Sequence, residues 1–152
     1  MEPLQGMFAP RSLAVIGASR RDGTLGKMFL DAVVAMEYKG HVYPVNPKAD
    51  EINGLPCFPD IESLPEPPDL AVILIARDYV LDAIDQLALK SVKNVVVISA
   101  GFRETGADGA ELEKRLLEKL AHHNMRMIGP NSMGLFNTNP EISLNATFSP
   151  TR

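Results

Sequence analysis

Short apolar runs alternate with longer amphipathic segments along most of this chain, and this order limits the folds that it can adopt. The run Leu70–Ile75 is apolar at every position, which is typical of a strand covered on both faces of a sheet. We predict strands at 12–16, 41–45, 70–75, 94–98 and 125–128, and helices at 27–37, 78–89 and 108–122.

Strand–helix units in this order predict a Rossmann-like, doubly wound α/β fold. The sheet is expected to be mostly parallel, with five to six strands, right-handed crossovers and helices on both faces. Pro44 lacks a backbone donor and favours a weak or edge-like ladder for the second strand. The 152 residues suit one domain, with a core over about 7–137, and we expect 138–152 to begin a connection to a following domain of a larger protein.

Composition excludes several classes of protein. The net charge of −4 argues against a general nucleic-acid coat, and 6% aromatic residues with no tryptophan argue against a base-stacking surface. The single cysteine, Cys57, excludes a disulfide framework, and no apolar stretch reaches the length of a membrane span. We therefore expect a protein of the reducing cytoplasm that binds neither nucleic acid nor membranes.

Loops at the carboxyl ends of the strands are the expected binding site, because ligands bind there in doubly wound sheets. That rule nominates the loops 17–26, 46–48, 76–78, 99–106 and 129–134. The first of these loops joins a buried strand to a helix, so its backbone N–H groups can hold a phosphate.

The first loop begins with a glycine, Gly17, whose backbone can approach a ligand closely. A valine there would occupy the space of a phosphate oxygen, so we expect Gly17→Val to abolish ligand binding at modest cost to the fold. The loop departs from the dinucleotide-binding pattern G-x-G-x-x-G, because five residues separate Gly17 from Gly23.

The residues after the second strand favour a phosphate over free ribose hydroxyls. A redox-cofactor site would place an acid there, whereas this chain has Asn46-Pro47-Lys48. The Lys48 cation suits a phosphate near the ribose. Further cations at the same edge are Arg20, Arg21 and Arg77.

The later loops offer small and polar groups but no catalytic set. Small residues at 99–101 would let a ligand chain lie against the backbone, or would serve helix entry alone. Asn131 could hydrogen-bond the backbone or a ligand. The three histidines and Cys57 form no arrangement suited to nucleophilic or metal chemistry, so we expect the chain to bind a ligand and leave the reaction to another part of the protein.

Five motifs follow one another between Met7 and Phe148. They are Phe8–Ser19, Tyr43–Pro47, Gly54–Pro56, Ser99–Glu104 and Gly129–Gly134. Together they resemble the N-terminal CoA-binding domain of the NDP-forming acyl-CoA synthetases. That family includes ADP-forming acetyl-CoA synthetase, the succinyl-CoA synthetase alpha subunit, and protein acetyltransferases that reuse the same core.

The resemblance implies coenzyme A as the ligand. It matches 17–20 to the loop at the CoA phosphates, 45–48 to the segment beside the adenosine 3′-phosphate, and 98–100 to the stretch along the pantetheine arm. Ala76 and Arg77 stand where many relatives carry a valine-proline pair. The cofactor-binding candidates are Gly17, Ala18, Ser19, Arg20, Leu25, Gly26, Val45, Asn46, Pro47, Lys48, Ala76, Arg77, Ile98, Ser99, Ala100, Gly101 and Asn131.

The resemblance also implies a reaction, acid + CoA + NTP giving acyl-CoA + NDP + phosphate. It would pass through an acyl phosphate and a phosphohistidine on a following domain or subunit, so no catalytic or metal-binding residue is expected in this chain. Three other functions stay open: the CoA-binding domain of a synthetase-like protein acetyltransferase, an NAD(P)-binding redox-sensing domain, and a non-catalytic interaction domain.

Overall fold

A computed structural model describes residues 4–149 of the chain. Its elements are α1 (Gln5–Phe8), β1 (Ser12–Ile16), α2 (Leu25–Ala35), β2 (His41–Val45), β3 (Glu51–Ile52), β4 (Leu55–Pro56), β5 (Leu70–Ile73), α3 (Val80–Leu89), β6 (Asn94–Val97), α4 (Ala107–His122), β7 (Arg126–Ile128), β8 (Gly134–Asn137) and β9 (Leu144–Thr147). Single 3₁₀ turns at Arg77–Tyr79 and Arg103–Thr105 lead into α3 and α4. Within 4–149, no helix has the length and apolar character needed to cross a membrane.

Five parallel strands form the main sheet in the order β2-β1-β5-β6-β7, which confirms the predicted Rossmann-like α/β fold. The chain runs outward from β1 to β2 and then returns to the other side of β1 at β5. The strand order therefore reverses between β1 and β5, where doubly wound folds bind ligands. Pro44 lies on β2, an edge strand as the sequence predicts.

Two apolar cores cover the two faces of the sheet. On one face α3 and α4 bury Val80, Ile84 and Leu116 against the sheet. On the other face α2 contributes Phe29 and Leu30, and the hairpin β8–β9 lies beside it. Every residue of β1, β5 and β6 is buried, and their side chains serve packing except for Ser12 and Asn94, which hydrogen-bond the Asp69 backbone.

The sequence predicts no strand after 125–128, and the hairpin β8–β9 corrects this. The two strands pair antiparallel, and the side chains of Leu144 and Ala146 join the core beside α2. Asn145 is also buried, and its Oδ1 accepts a hydrogen bond from the Thr147 hydroxyl over 2.6 Å. A four-residue strand that buries a paired amide has no clear apolar alternation, so periodicity does not reveal it.

The helix beginnings differ from the predicted ones for local reasons. Helix α2 begins at Leu25 and not at Lys27, because the Thr24 hydroxyl caps it and accepts from the Lys27 N–H over 3.3 Å. A turn at Asn53-Gly54 joins β3 and β4, and both residues have positive φ, 53° and 76°.

An ion pair joins the amino ends of β1 and β5. The Asp69 carboxylate accepts hydrogen bonds from the Arg11 backbone N–H at 2.9 Å and from the Arg11 Nε at 3.0 Å. Burial opposes ionisation of Asp69, but the hydrogen bonds from Arg11 outweigh it, so the pKa of this carboxyl lies below its ordinary value.

We expect Val72→Asp to unfold the protein, because it places a carboxylate in a strand with no exposed side-chain surface. The cost of several kcal/mol is comparable to the whole stability of a domain this size. The matched control is Leu89→Asp, at a position 88% exposed, which should cost only about 0.5 kcal/mol from its charge at a helix end. Circular dichroism and urea unfolding measure both variants, and a cooperative native-like transition for Val72→Asp would contradict the two-sided core.

Asp69→Asn should reduce the unfolding free energy at pH 7 by about 1 kcal/mol, since the Arg11 side chain is largely exposed and the pair is partly screened. A carboxyl whose pKa is lowered by folding stabilises the fold at pH values above its pKa in the unfolded chain. This stabilisation is lost as the pH falls through the pKa of the carboxyl in the folded protein. The difference between wild type and Asp69→Asn should therefore shrink below about pH 4. Urea unfolding from pH 7 to pH 3 measures it, and a difference that is constant with pH would show that the charge contributes nothing.

Candidate functional site

The five predicted loops meet at the carboxyl edge of the sheet and are joined by hydrogen bonds. The Gly17 N–H donates to the Val45 carbonyl over 3.2 Å, which connects the first two loops. The Ser99 hydroxyl donates to the Ile75 carbonyl, and the Asn131 N–H donates to the Ser99 carbonyl over 3.0 Å. Hydrogen bonds thus connect the first loop with the second, and the third, fourth and fifth loops with one another, at the sheet edge around the β1–β5 switch point.

Two glycines allow the first loop to turn tightly onto helix α2. Gly17 has a φ of +95°, which side chains rarely adopt. A Cβ on Gly26 would lie 2.1 Å from the Gly17 carbonyl oxygen, so the first turn of α2 packs directly on the loop backbone. This contact fixes the start of the helix beside the end of β1, and backbone N–H groups at such a junction can hold a phosphate.

The expected effect of Gly17→Val on the fold needs correction. A Cβ at Gly17 would point towards β5 and meet the Leu74 backbone at 3.1–3.2 Å and the Ile75 Cγ2 at 3.0 Å. A valine would therefore strain both the backbone and the β1–β5 packing, so the cost to the fold is larger than modest. This substitution cannot separate binding from stability.

Asn46 organises the second loop with both ends of its amide. Its Nδ2 donates to the Ala18 carbonyl over 2.7 Å, and its Oδ1 accepts from the Lys48 N–H over 2.8 Å. Its own N–H donates to the Phe58 carbonyl over 2.9 Å. The Asn46 side chain therefore joins the first and second loops.

Two of the predicted cations lie side by side. The Arg20 Nη2 donates to the Lys48 carbonyl over 3.3 Å, and both side chains are exposed at the same corner of the sheet edge. Arg21 is exposed next to them in the chain, and its N–H donates to the Ser19 hydroxyl over 3.1 Å. Positive charge is thus concentrated beside the first two loops.

Arg77, the fourth predicted cation, is turned away from that corner. Its Nη1 donates to the Gly101 carbonyl over 2.6 Å and to the Thr105 hydroxyl over 3.3 Å, and its Nε lies 3.6 Å from the Asp78 carboxylate. The sequence places Arg77 in the same group as Arg20, because both residues follow strands. In the structure, however, the Arg77 side chain contacts the fourth loop.

The side chains predicted along the pantetheine arm are mostly inside the protein. Ile98 and Ser99 are buried, whereas Ala100 is exposed and Gly101 is half-buried. A ligand could therefore contact this loop through its backbone and through the small face at Ala100. The candidates with exposed side chains are Arg20, Leu25, Pro47, Lys48, Ala76, Ala100 and Asn131.

The histidines lie at the other end of the sheet, whereas the Cys57 thiol lies 3.8 Å from the Asn46 carbonyl beside the second loop. His41 begins β2, and His122 and His123 end α4, all at the opposite edge of the sheet. Burial raises the pKa of the half-buried Cys57 thiol, so it is not an activated nucleophile. In the part of the chain described here, no group of three or more His, Cys, Asp or Glu residues is placed to hold a metal ion.

Comparison with known proteins connects this geometry to one kind of domain. Residues 11–138 match the family model described as a CoA binding domain. Acetate–CoA ligase (ADP-forming) I from Archaeoglobus fulgidus is 42% identical over 146 residues, which is 96% of this chain and 21% of that protein. The alpha subunit of acetate–CoA ligase (ADP-forming) I from Pyrococcus furiosus is 38% identical over 97% of this chain and 32% of the subunit.

A solved structure shares the fold over nearly the whole chain. The acetyl-coenzyme A synthetase 1 of Ca. Korarchaeum cryptofilum, in complex with phosphate and ADP, superposes with a TM-score of 0.90 at 40% identity. The match covers 99% of this chain and 32% of that one. This chain therefore spans about a fifth to a third of the proteins that it resembles.

The contact between Gly26 and Gly17 predicts a difference between two glycine-to-alanine changes in the first loop. Gly26→Ala should reduce the unfolding free energy by about 2–3 kcal/mol, because its methyl group would overlap the Gly17 carbonyl. Gly23→Ala is the control: its Cβ meets no atom within 4 Å, and only its φ of +78° should cost about 1 kcal/mol. Urea unfolding measures both, and equal losses would show that the loop relaxes around the added methyl group and does not need the close approach.

Proposed function

Because the chain belongs to the CoA-binding domain family, we propose that it holds coenzyme A at the carboxyl edge of its sheet as part of an NDP-forming acyl-CoA synthetase. The parent reaction would be acid + CoA + NTP giving acyl-CoA + NDP + phosphate. The observation that carries this proposal is the meeting of the five loops at the sheet edge around the β1–β5 switch point, with two adjacent cations at one end and a small-residue loop at the other.

The phosphates of CoA are assigned to the first loop. There, the residues that follow Gly17 and the start of α2 contribute peptide N–H groups, while Arg20 supplies positive charge. We assign Lys48, whose side chain is exposed and whose carbonyl accepts from Arg20, to the adenosine 3′-phosphate. A charge-assisted contact of this kind contributes about 1.5–3 kcal/mol, and less where solvent screens it.

The pantetheine arm is assigned to the fourth loop. Its backbone at 99–101 carries only small side chains, so an extended chain can lie against it without steric hindrance. The arm would carry the thiol away from the phosphate corner and across β5 and β6. The acyl transfer itself would take place outside this domain.

The chemical step is assigned to another domain or subunit. A CoA synthetase of this kind forms an acyl phosphate and then uses a phosphohistidine, whereas the three histidines here lie at the opposite edge of the sheet. This chain spans only part of its relatives, so we propose that it works with further domains or a partner subunit. We also propose a cytoplasmic location, where CoA and a free thiol such as Cys57 persist.

The charge at Lys48 favours CoA over NAD. An NAD site needs an acid at this position to accept hydrogen bonds from the ribose hydroxyls, and a cation there favours a phosphate. A protein acetyltransferase would use the same CoA site, so it differs from the ligase only in the domains joined to this one.

We expect CoA to bind about tenfold more tightly than dephospho-CoA, and Lys48→Ala to remove most of that preference. The reason is the loss of the one phosphate that Lys48 faces. Lys114→Ala, an exposed lysine on α4, is the matched control and should keep the preference. Isothermal titration with CoA, dephospho-CoA and NADH measures these affinities. The salt concentration is kept constant, because surface ion pairs weaken as it rises.

Equal affinities for CoA and dephospho-CoA in the wild type would remove Lys48 from the site. Tighter binding of NADH than of CoA would replace the proposed function with the redox-sensing one. The same protein incubated with ATP, CoA and short carboxylic acids should form no acyl-CoA. Turnover by these 152 residues would contradict the assignment of the chemical step to another domain or subunit.

A further inference from the structure

The peptide groups around Gly101 are held from two sides by charged side chains of different loops. The Gly101 N–H donates to the Glu104 Oε1 over 2.6 Å, and the Gly101 carbonyl accepts from the Arg77 Nη1 over 2.6 Å. The Phe102 N–H donates to the same Glu104 oxygen over 3.1 Å. A single residue thus has both its backbone donor and its backbone acceptor bound to ionic groups.

The conformation of Gly101 explains why such support is useful. Its φ of +105° lies in the region that favours glycine, a residue whose backbone is otherwise free to move. A Cβ at Gly101 would lie 2.6 Å from the Arg77 Cδ, so the stem of Arg77 occupies the space where a side chain would be. Residue 101 must therefore be glycine for the Arg77 side chain to take this position. The hydrogen bond from Arg77 in turn restrains the backbone of Gly101.

The charge state of Glu104 agrees with this arrangement. Hydrogen bonds from backbone N–H groups, that of Gly101 first, hold the pKa of Glu104 below its ordinary value, so the carboxylate is ionised at neutral pH. Its oxygen occupies two neighbouring amide donors that could otherwise attract an anion. These two donors are therefore already occupied by the Glu104 carboxylate.

We propose that Arg77, Gly101 and Glu104 form a clamp that sets the backbone of 99–101 for the pantetheine arm, with Arg77 and Glu104 as positioning residues. This inference rests on the proposed function, because it takes CoA as the ligand. It changes the interpretation of Arg77, from a cation for a phosphate to a support for a loop.

The clamp should act on only one half of CoA. It joins the loops after β5 and β6, whereas Arg20 and Lys48 lie in the loops after β1 and β2, on the other side of the switch point. The adenosine 3′,5′-bisphosphate portion of CoA contains the nucleotide and lacks the pantetheine arm. A change in the clamp should therefore weaken binding of CoA and leave binding of this fragment nearly unchanged.

The test is isothermal titration of wild type and variants of the clamp with CoA and with adenosine 3′,5′-bisphosphate. Glu104→Ala removes the acceptor, and Arg77→Met removes the guanidinium while keeping the stem beside Gly101. Both variants should weaken the binding of CoA about tenfold and change the affinity for adenosine 3′,5′-bisphosphate by less than about twofold. Glu104→Gln keeps an oxygen that accepts both N–H groups and should restore most of the affinity, and Glu111→Ala, an exposed glutamate on α4, should bind as wild type does.

Each outcome decides between the alternatives. Unchanged CoA affinity in both Glu104→Ala and Arg77→Met overturns the clamp, and so does an equal loss of CoA and of the fragment, which would indicate a general structural role. Should Glu104→Ala not fold, the comparison of Arg77→Met with wild type carries the same test. If wild type binds neither ligand, the proposed function fails and the clamp fails with it.

Discussion

Burial of both faces of β1, β5 and β6 is the constraint on which the rest of this structure depends. Their apolar side chains pack against α3 and α4 on one face and against α2 and the β8–β9 hairpin on the other. Groups that can contact a ligand are consequently found where the strands end. The site is a surface of loop backbone, and most of the polar side chains in it hold one loop against the next.

Because the site consists mainly of loop backbone, side chains such as Asn46, Ser99 and Arg77 contribute to it by holding the loops in place. Each forms a hydrogen bond to a carbonyl of another loop: Asn46 to Ala18, Ser99 to Ile75 and Arg77 to Gly101. They set the relative positions of the loops, and the peptide groups that they arrange are available to the ligand. We propose that the exposed cations near the first two loops, Arg20, Arg21 and Lys48, reach a phosphate directly.

The sequence predicts the main sheet well because its information is local and repetitive. The run Leu70–Ile75 has a strong pattern, and the structure has a strand at Leu70–Ile73. The direction of a side chain is different, because it depends on a partner distant in the chain. Neither the turn of Arg77 towards Gly101 nor the approach of a Gly17 Cβ to Leu74 can be predicted from residue type and spacing. The β8–β9 hairpin escapes prediction for the related reason that its burial is created by α2 and not by its own pattern.

That hairpin also has a consequence for the order of folding. The Asn137 side chain donates to the Phe8 carbonyl over 2.6 Å across 129 positions of sequence, and the Lys39 N–H donates to the Ile142 carbonyl over 3.1 Å. The core on the α2 face therefore joins segments from both ends of the described chain, whereas the core on the α3–α4 face is built largely from residues between β5 and α4. Contacts so distant in sequence carry a large loop-closure cost and form late. On a ribosome, one face of the sheet can be covered early, and the other stays exposed until β9 has emerged.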